Sequence, residues 1–184
     1  MNLPDFAKKV SELKRVKRTG WVLKGIRDPE SVADHSFMLA ILAYLYSKKL
    51  GLDSDKAVKM ALIHDMCEAY CGDIADKVRN EDQVVTDERK RELEREGMRK
   101  IVSLLPDDFA KEIYGLWEDF ECRKSEEAKL VKDLDKFEMC MQALEYSKKY
   151  KGLEEFFEDG RLNIKTPEIR KAFEKISREF QKQV

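Results

Sequence analysis

Apolar residues recur at intervals of three and four along most of the chain, which is the spacing of one face of an α-helix. In the first half this pattern predicts three helices, running from Asp5 to about Arg18, over His35–Leu50, and from Asp53 or Ser54 to about Glu68. The middle helix is apolar on most faces, and Gly51 is predicted to end it in a left-handed conformation. Thr19–Ala33 contains two glycines and a proline, so it is predicted to be a loop.

Helical spacing continues in the second half, where Pro106 separates two predicted helices. The predicted segments are Thr86–Leu105, Asp107–Cys122, Ser125 to about Tyr150, and a last helix that begins at Thr166-Pro167-Glu168. The residues between Gly72-Asp73 and Thr86 are predicted to be irregular. Because no long stretch alternates with a period of two, we expect an all-α helical bundle, with residues 1–184 forming a single domain.

The charge balance and the cysteines narrow the class of protein. Lys and Arg number 36 and Asp and Glu number 37, so the net charge of −1 gives no field that would attract a nucleic acid polymer or an anionic membrane. There is no apolar run of the length needed for a membrane span and no signal-peptide pattern. The four cysteines are therefore expected to be reduced thiols of a cytoplasmic protein. Cys67 and Cys71 do not have zinc-finger spacing.

The sequence has only two histidines, and each adjoins an aspartate. His35 follows Asp34 at the start of the predicted central helix, and His64 precedes Asp65 near the end of the next one. One helix presents only one or two side chains to a point, so a metal ion needs ligands from several helices. Asp135, on the long helix, has apolar neighbours four residues away on both sides. A carboxylate on such an apolar face needs a polar or charged partner, because its burial is otherwise costly. We therefore predict a metal site formed by His35, His64, Asp65 and Asp135.

An ordinary structural role is the alternative for each of these residues. In that interpretation His35 caps a helix, and His64 is a hydrogen-bonded core histidine beside a capping Asp65. The coincidence of two His–Asp neighbours with an acid on an apolar helix face favours the metal site. Asp133, by contrast, shares its helix face with lysines and is predicted to be solvated.

These residues resemble the HD-domain metal-dependent phosphohydrolases, whose pattern is H…HD…D on a helical scaffold. His35, His64-Asp65 and Asp135 match the pattern in order. Further segments between about residues 12 and 150 resemble one branch, the HD-domain 5′-deoxynucleotidases: Lys17–Trp21, Pro29–His35, His64–Glu68, Gly72–Ala75, Ala128–Asp135 and Glu138–Ala143. The resemblance implies one HD domain that hydrolyses deoxyribonucleoside 5′-monophosphates.

The resemblance also implies a role for the residues around the ion. The four predicted ligands would hold one divalent ion, since the extra histidines of two-metal HD proteins are absent. Imidazole and carboxylate ligands suit Co, Mn, Fe, Ni or Zn. Glu68 lies one turn after His64 and Asp65, where it is expected to orient the attacking water or to protonate the leaving 5′ oxygen.

Three more residues lie where the family places nucleotide contacts. Asp73 is expected to bind the sugar or to assist the proton transfer. Arg18 is expected to bind phosphate and Trp21 to pack on the sugar or the base. The alternatives are that Arg18 is a solvated helix end and that Trp21 anchors its loop in the core.

The expected function is therefore that of a cytoplasmic 5′-deoxynucleotidase acting on a small nucleotide. Two alternatives stay open: an HD phosphohydrolase acting on nucleoside triphosphates or cyclic nucleotides, and a non-catalytic module that binds metal or nucleotide. Glu68 favours the hydrolase, because a hydrolase needs an acid beside the ion that is not a ligand. The resemblance implies a homodimer, in which the exposed side of the C-terminal helix or the pair Phe156-Phe157 is expected to contact the other subunit.

Overall fold

The computed structural model describes residues 2–75 and 85–183. Ten α-helices occupy these ranges, and an isolated β-bridge joins Lys17 to Ser31. The predicted all-α fold is confirmed. The helices are α1 (Leu3–Val10), α2 (Thr19–Leu23), α3 (Val32–Leu50), α4 (Ser54–Ile63), α5 (Glu68–Cys71), α6 (Asp87–Val102), α7 (Asp107–Cys122), α8 (Glu126–Ser147), α9 (Glu154–Asn163) and α10 (Pro167–Gln183).

The structure describes only part of the chain, which limits the comparison with two predictions, the irregular segment after Gly72-Asp73 and the absence of a membrane span. Residues 76–84, which belong to the segment predicted to be irregular, lie outside the described ranges. In residues 2–75 and 85–183, no helix has both the length and the apolar content that a membrane crossing requires.

Polar side chains define the helix ends that position the central pair, α3 and α4. Ser31 accepts a hydrogen bond from the backbone N–H of Asp34, and the Asp34 carboxylate accepts one from the N–H of Ser31, which forms a capping box at the start of α3. Gly51 ends α3 with φ of 70°, as the sequence predicts. Asp53 then caps α4 through the N–H of Lys56.

Helix α4 ends earlier than the apolar pattern predicts. The pattern extends it to about Glu68, but the helix ends at Ile63 and is followed by a turn with hydrogen bonds between residues three apart. Gly97 of α6 lies against this turn, and a Cβ atom there would come 2.7 Å from the carbonyl oxygen of Cys67. The His–Asp pair is therefore carried by a turn packed directly on the backbone of α6.

The first helix is also shorter than predicted, and three helices, α2, α5 and α9, are absent from the prediction. Helix α1 ends at Val10 and continues only as a 3₁₀ helix to Lys14. Helix α2 lies inside the predicted loop. Helix α9 contains Gly160, which lowers helix propensity, yet a Cβ atom there would lie 2.6 Å from Sγ of Cys140 and 2.8 Å from the ring of Phe173. Close packing against α8 and α10 therefore requires glycine at this position.

The larger core forms where α3 packs against α4 and α8, and where α8 packs against α9 and α10. A smaller core lies around α6, α7 and the turn after α4, with Met98, Ile101 and Trp117 buried in it. Helices α3, α4 and α8 meet in the larger core, and these are the elements predicted to carry the metal ligands.

The aromatic pair Phe156-Phe157, expected as a subunit contact, belongs to the larger core instead. The ring of Phe156 packs against Trp21 with ring centroids 4.2 Å apart, and Phe157 stacks on Phe180 at 4.1 Å. The expectation is wrong for these two residues, because α9 turns both rings towards the interior of the chain.

Asp133 is buried, so the prediction that it is solvated is wrong. Its Oδ2 accepts hydrogen bonds from the backbone N–H groups of Lys165 at 2.9 Å and Thr166 at 2.6 Å. These N–H groups precede α10, so the carboxylate of Asp133 joins α8 to the beginning of the last helix.

Candidate metal centre

Imidazole and carboxylate groups from three parts of the fold converge at one point. His35 comes from the first turn of α3, His64 and Asp65 from the turn after α4, and Asp135 from α8. Nε2 of His35 lies 3.3 Å from Nε2 of His64 and 3.2 Å from Oδ1 of Asp135. Oδ2 of Asp65 lies 2.9 Å from Nε2 of His64 and 4.0 Å from Nε2 of His35. The structure thus brings together all four predicted ligands.

The second nitrogen of each histidine is already engaged. Nδ1 of His35 lies 2.5 Å from Oε2 of Glu138, and Nδ1 of His64 lies 2.9 Å from the backbone oxygen of Ala61. Both partners accept hydrogen bonds, so each Nδ1 carries the hydrogen. In the neutral rings the two Nε2 lone pairs therefore face the centre, as they do in histidines that bind metal.

This arrangement fits a divalent cation. Two nitrogen lone pairs 3.3 Å apart, with carboxylate oxygens beside them, repel one another unless a positive charge lies among them. A proton on one ring supplies part of that charge. Burial and Arg18 act to lower the pKa of His35, but hydrogen bonds to Asp135 and Glu138 outweigh them and raise it to about 10. Two imidazole nitrogens with carboxylate oxygens form a donor set typical of divalent transition metals.

The two aspartates of the centre are held in the charged form. Burial alone would raise the pKa of each carboxyl group. In Asp65 the interactions with His64 and the charge of Arg18 outweigh burial, and in Asp135 the hydrogen bond and charge of His35 do so. The pKa values of both groups therefore lie below the ordinary aspartate range, and both are negatively charged at neutral pH.

Arg18, which precedes α2, also reaches the centre. Its Nη1 lies 3.1 Å from Oδ2 of Asp65, and the side chain is largely buried. Burial alone would lower the pKa of the guanidinium, but the carboxylates of Asp73, Asp65, Asp135 and Glu68 outweigh it and raise the pKa. Arg18 is thus a fixed positive charge among acids and not a solvated helix end.

Glu68 is a buried acid next to the ligands. Burial, followed by the charges of Asp65 and Asp73, raises the pKa of its carboxyl group well above the ordinary range. Its Oε2 has no hydrogen-bond partner in the described part of the chain. A buried polar atom without a partner is costly, so this oxygen is suited to a water or a substrate atom.

Asp73 is tied to the segment that carries Arg18. Its Oδ2 accepts a hydrogen bond from the backbone N–H of Thr19 at 2.5 Å, and its backbone oxygen accepts one from Oγ1 of Thr19 at 2.6 Å. The charge of Asp73 also acts on its neighbours, since it helps to raise the pKa of both Arg18 and Glu68. Asp73 therefore lies close to both groups.

Trp21 lies almost wholly inside the core. Its indole N–H donates to Oε1 of Glu30 at 2.8 Å, and its ring packs on Phe156 and Tyr146. Glu30 is itself mostly buried, and burial together with the charge of Glu138 raises its pKa to about 7. Trp21 anchors the short helix α2 beside the centre.

Glu138 and Glu30 are the neighbours of the centre that the sequence does not single out. Glu138 is fully buried against His35, and ligand atoms of Glu30, His35 and Glu138 lie within 4.8 Å of one another. The sequence does contain a signal for Glu138, because it follows Asp135 by three residues and so lies on the same side of an apolar helix.

The centre opens into a cleft of about 500 Å³, which is within the size range of small-molecule sites. His64, Asp65 and Asp135 line it together with Glu68, Asp73 and Arg18. His35 is completely buried behind them. A small molecule in the cleft would therefore approach the metal-binding residues from the side of Asp65 and Glu68.

Comparison with protein families matches the HD domain to residues 10–177, a span that contains all four converging residues. The chain belongs to the HD-domain family. The resemblance recognised from His35, His64-Asp65 and Asp135 is confirmed.

Named relatives of this HD-domain protein include 5′-deoxynucleotidases. The chain is 43% identical to the 5′-deoxynucleotidase HDDC2 of Bos taurus, over 91% of this chain and 80% of the relative. Identity to HDDC2 of Homo sapiens is 42%, over 91% of this chain and 81% of the relative. Among solved structures, the PH0347 protein of Pyrococcus horikoshii OT3 is similar with a TM-score of 0.77 and 33% identity, covering 98% of this chain and 99% of that one.

Proposed function

We propose that this HD-domain protein is a metal-dependent phosphomonoesterase that converts deoxyribonucleoside 5′-monophosphates into deoxynucleosides and phosphate. The observation that carries the proposal is Glu68, a buried acid with a raised pKa and an unpartnered oxygen beside a set of metal ligands. The HDDC2 relatives are named as 5′-deoxynucleotidases, which supports the substrate class.

His35, His64, Asp65 and Asp135 would hold one divalent ion, for which Co, Mn, Fe, Ni and Zn are all compatible. Such an ion, when bound, lowers the pKa of a coordinated water and neutralises charge on a phosphoryl group. Glu138 and the backbone of Ala61 would keep the two Nε2 atoms directed at it.

Arg18 would bind the phosphate of the nucleotide. Only one of its nitrogens contacts Asp65 at hydrogen-bond distance, and a guanidinium has five N–H donors. Its charge also offsets the acids around it, so that a phosphate dianion can approach the cleft. Trp21 would hold the Arg18 segment in place from the core, and a direct contact with the sugar or base is the alternative role.

Glu68 would supply the proton that the leaving group needs. Attack of a water oxygen on phosphorus breaks the bond between phosphorus and the 5′ oxygen. The protonated carboxyl of Glu68 gives its hydrogen to that oxygen, so the deoxynucleoside leaves uncharged, and a proton released by the attacking water restores the Glu68 carboxyl. Asp73 would contact the sugar or assist this transfer through its charge, which helps to keep Glu68 protonated.

The proposal also covers the cellular compartment, the domain organisation and the oligomeric state of the enzyme. All four cysteines are free, which supports a reducing compartment such as the cytoplasm. We propose further that residues 1–184 form one domain and that the enzyme is a homodimer.

The test is phosphate release from nucleoside mono-, di- and triphosphates and cyclic nucleotides in the presence of each candidate metal. Wild type is compared with Asp65→Asn and with Asp107→Asn, an exposed control on α7. We expect release from deoxynucleoside monophosphates that disappears in Asp65→Asn and persists in Asp107→Asn.

Other results would redirect the proposal. Release from triphosphates or cyclic nucleotides alone would keep the site and change the substrate. No release with any substrate or metal, from a protein that still binds metal, would contradict catalysis and favour the binding module.

A further inference from the structure

Helix α3 carries an apolar stripe that the described part of the chain leaves uncovered. The stripe consists of Phe37, Met38, Ile41, Tyr44 and Leu45, whose side chains are between 40% and 65% exposed. At 100° per residue these positions span about 120° of the helix surface, so they form one continuous face. A large aromatic and aliphatic patch of this kind marks an interaction surface.

The stripe is symmetric about Ile41. Phe37 and Leu45 lie four residues before and after it, and Met38 and Tyr44 lie three residues before and after it. If a second copy of α3 packs antiparallel with the two-fold axis at Ile41, then Phe37 faces Leu45 and Met38 faces Tyr44. Every apolar side chain of the stripe then meets an apolar partner.

The charges at the two ends follow the same symmetry. Asp34 lies seven residues before Ile41 and Lys48 seven residues after it, and both are exposed. The antiparallel arrangement places Asp34 of each copy opposite Lys48 of the other, whereas a parallel arrangement would place like charges together. Asp34 and Lys48 are about 21 Å apart along the helix, at 1.5 Å per residue, and the stripe lies between them.

We propose that this face of α3 is the two-fold interface of the protein, with a second copy of the chain as its occupant. The inference rests on the homodimer part of the proposed function and supplies its location. A two-fold contact must be complementary to itself, and the matched pairs on both sides of Ile41 meet that condition. Phenylalanine, tyrosine and methionine are also the residue types enriched in the centre of interfaces.

Sedimentation of wild type, Ile41→Glu and Phe109→Glu tests the proposal. Ile41→Glu brings two carboxylates together across the axis, and we expect the dimer dissociation constant to rise about a hundredfold or more. Phe109 on α7 is similarly exposed and lies outside the stripe, so Phe109→Glu is expected to stay dimeric. Thermal unfolding checks that each variant is folded, and Leu45→Glu replaces Ile41→Glu if the latter is not.

Cross-linking gives a test that does not depend on disrupting the contact. In a Cys122→Ser background, which removes an exposed thiol, Ile41→Cys is expected to form a dimer with a short bismaleimide and Phe109→Cys is not. A dimer that survives Ile41→Glu and does not cross-link through position 41 would overturn the location but keep the homodimer. A monomeric wild type would overturn both, whereas the phosphate-release assay reports on the catalytic proposal separately.

Discussion

Oε2 of Glu138 lies 2.5 Å from Nδ1 of His35, and this contact fixes which nitrogen of the ring faces Asp135. Because Nδ1 donates to Glu138, Nε2 is the nitrogen directed at the centre, 3.2 Å from the Asp135 carboxylate, and it offers a lone pair to a metal ion when the ring is neutral. The negative charge of Glu138 also makes the ring a stronger base. Glu138 therefore positions a metal ligand without being one.

Replacing Glu138 is expected to weaken metal binding in two steps. Glu138→Gln keeps an oxygen that accepts the hydrogen bond but loses the charge, so we expect affinity to fall about tenfold. Glu138→Leu loses both the hydrogen bond and the charge, so we expect metal affinity to fall about a hundredfold. This is the upper end of the effect for residues that hold metal-binding histidines. Competition against a chromophoric chelator measures the affinity.

Glu145→Gln, on an exposed position of the same helix, is the control for that series. Equal affinities for wild type, Glu138→Gln and Glu138→Leu would show that Glu138 is only a packing residue. A loss of thermal stability without any loss of affinity would lead to the same conclusion.

The sequence predicts the metal ligands better than it predicts the residues that hold those ligands and their helices in place. His35, His64 and Asp65 stand out because histidine is rare in this chain and each is next to an aspartate, which are local facts. The roles of Asp133 and Glu138 depend on which helix end or side chain lies opposite them across α8. Those neighbours come from parts of the chain more than thirty residues away in sequence, such as Thr166 for Asp133 and His35 for Glu138.

The helix prediction fails where tertiary contacts outweigh local propensity. Asp53 caps its own helix, so the start of α4 is predicted correctly, whereas α3 begins at Val32, three residues before the predicted His35. Gly160 lowers the local helix propensity of α9, and only its contact with Cys140 and Phe173 explains its presence. Trp21 looks like a loop aromatic in the sequence, but it lies in the core because α2 and α9 meet there.

Glu68→Gln is expected to separate catalysis from metal binding. The amide has the same shape but cannot give a proton to the 5′ oxygen, so we expect kcat to fall about 10²- to 10⁴-fold. Metal affinity is expected to stay within about threefold of wild type, because Glu68 is not placed among the ligands. Steady-state kinetics and the chelator competition provide the two measurements.

Glu126→Gln, exposed in the first turn of α8, serves as the comparison for Glu68→Gln. If Glu68→Gln lost metal and activity together, Glu68 would be a ligand or a structural residue and its role as an acid would be rejected. Full activity would remove it from the mechanism altogether.

Glu30 is expected to make stability depend on pH in a defined window. Its pKa is raised from 4.5 to about 7, first by burial and then by the charge of Glu138. Because the folded pKa is the higher one, the stabilising contribution is complete below about pH 4.5 and is lost as the pH rises through 7. Glu30→Gln removes this loss. From pH 5 to pH 8, the free energy of unfolding of the variant should therefore rise by about 2 kcal/mol relative to that of wild type.

Urea unfolding of the metal-free protein at these two pH values measures that difference. Glu154→Gln, exposed at the start of α9, is expected to show no such gain. A constant difference between Glu30→Gln and wild type over the whole range would mean that Glu30 does not titrate there.

Two glycine substitutions distinguish close packing of the metal-ligand turn from general helix propensity. A Cβ atom at Gly97 would lie 2.7 Å from the carbonyl oxygen of Cys67, whereas one at Gly115 on α7 would have no atom within 4 Å. Gly97→Ala is therefore expected to lower the free energy of unfolding by about 1–3 kcal/mol. Gly115→Ala should raise it by about 0.5–1 kcal/mol, because alanine is the better helix former.

The metal affinity of the same two variants tests the link between α6 and the centre. The turn held against Gly97 carries His64 and Asp65, so displacing this turn moves two of the four ligands. We therefore expect Gly97→Ala to bind metal at least about tenfold more weakly than wild type. Loss of a residue that orients metal ligands has an effect of this size. Gly115→Ala is expected to bind metal like wild type. A destabilised Gly97→Ala with unchanged metal affinity would show that the turn adjusts independently of its ligands, and α6 would then have no part in positioning the centre.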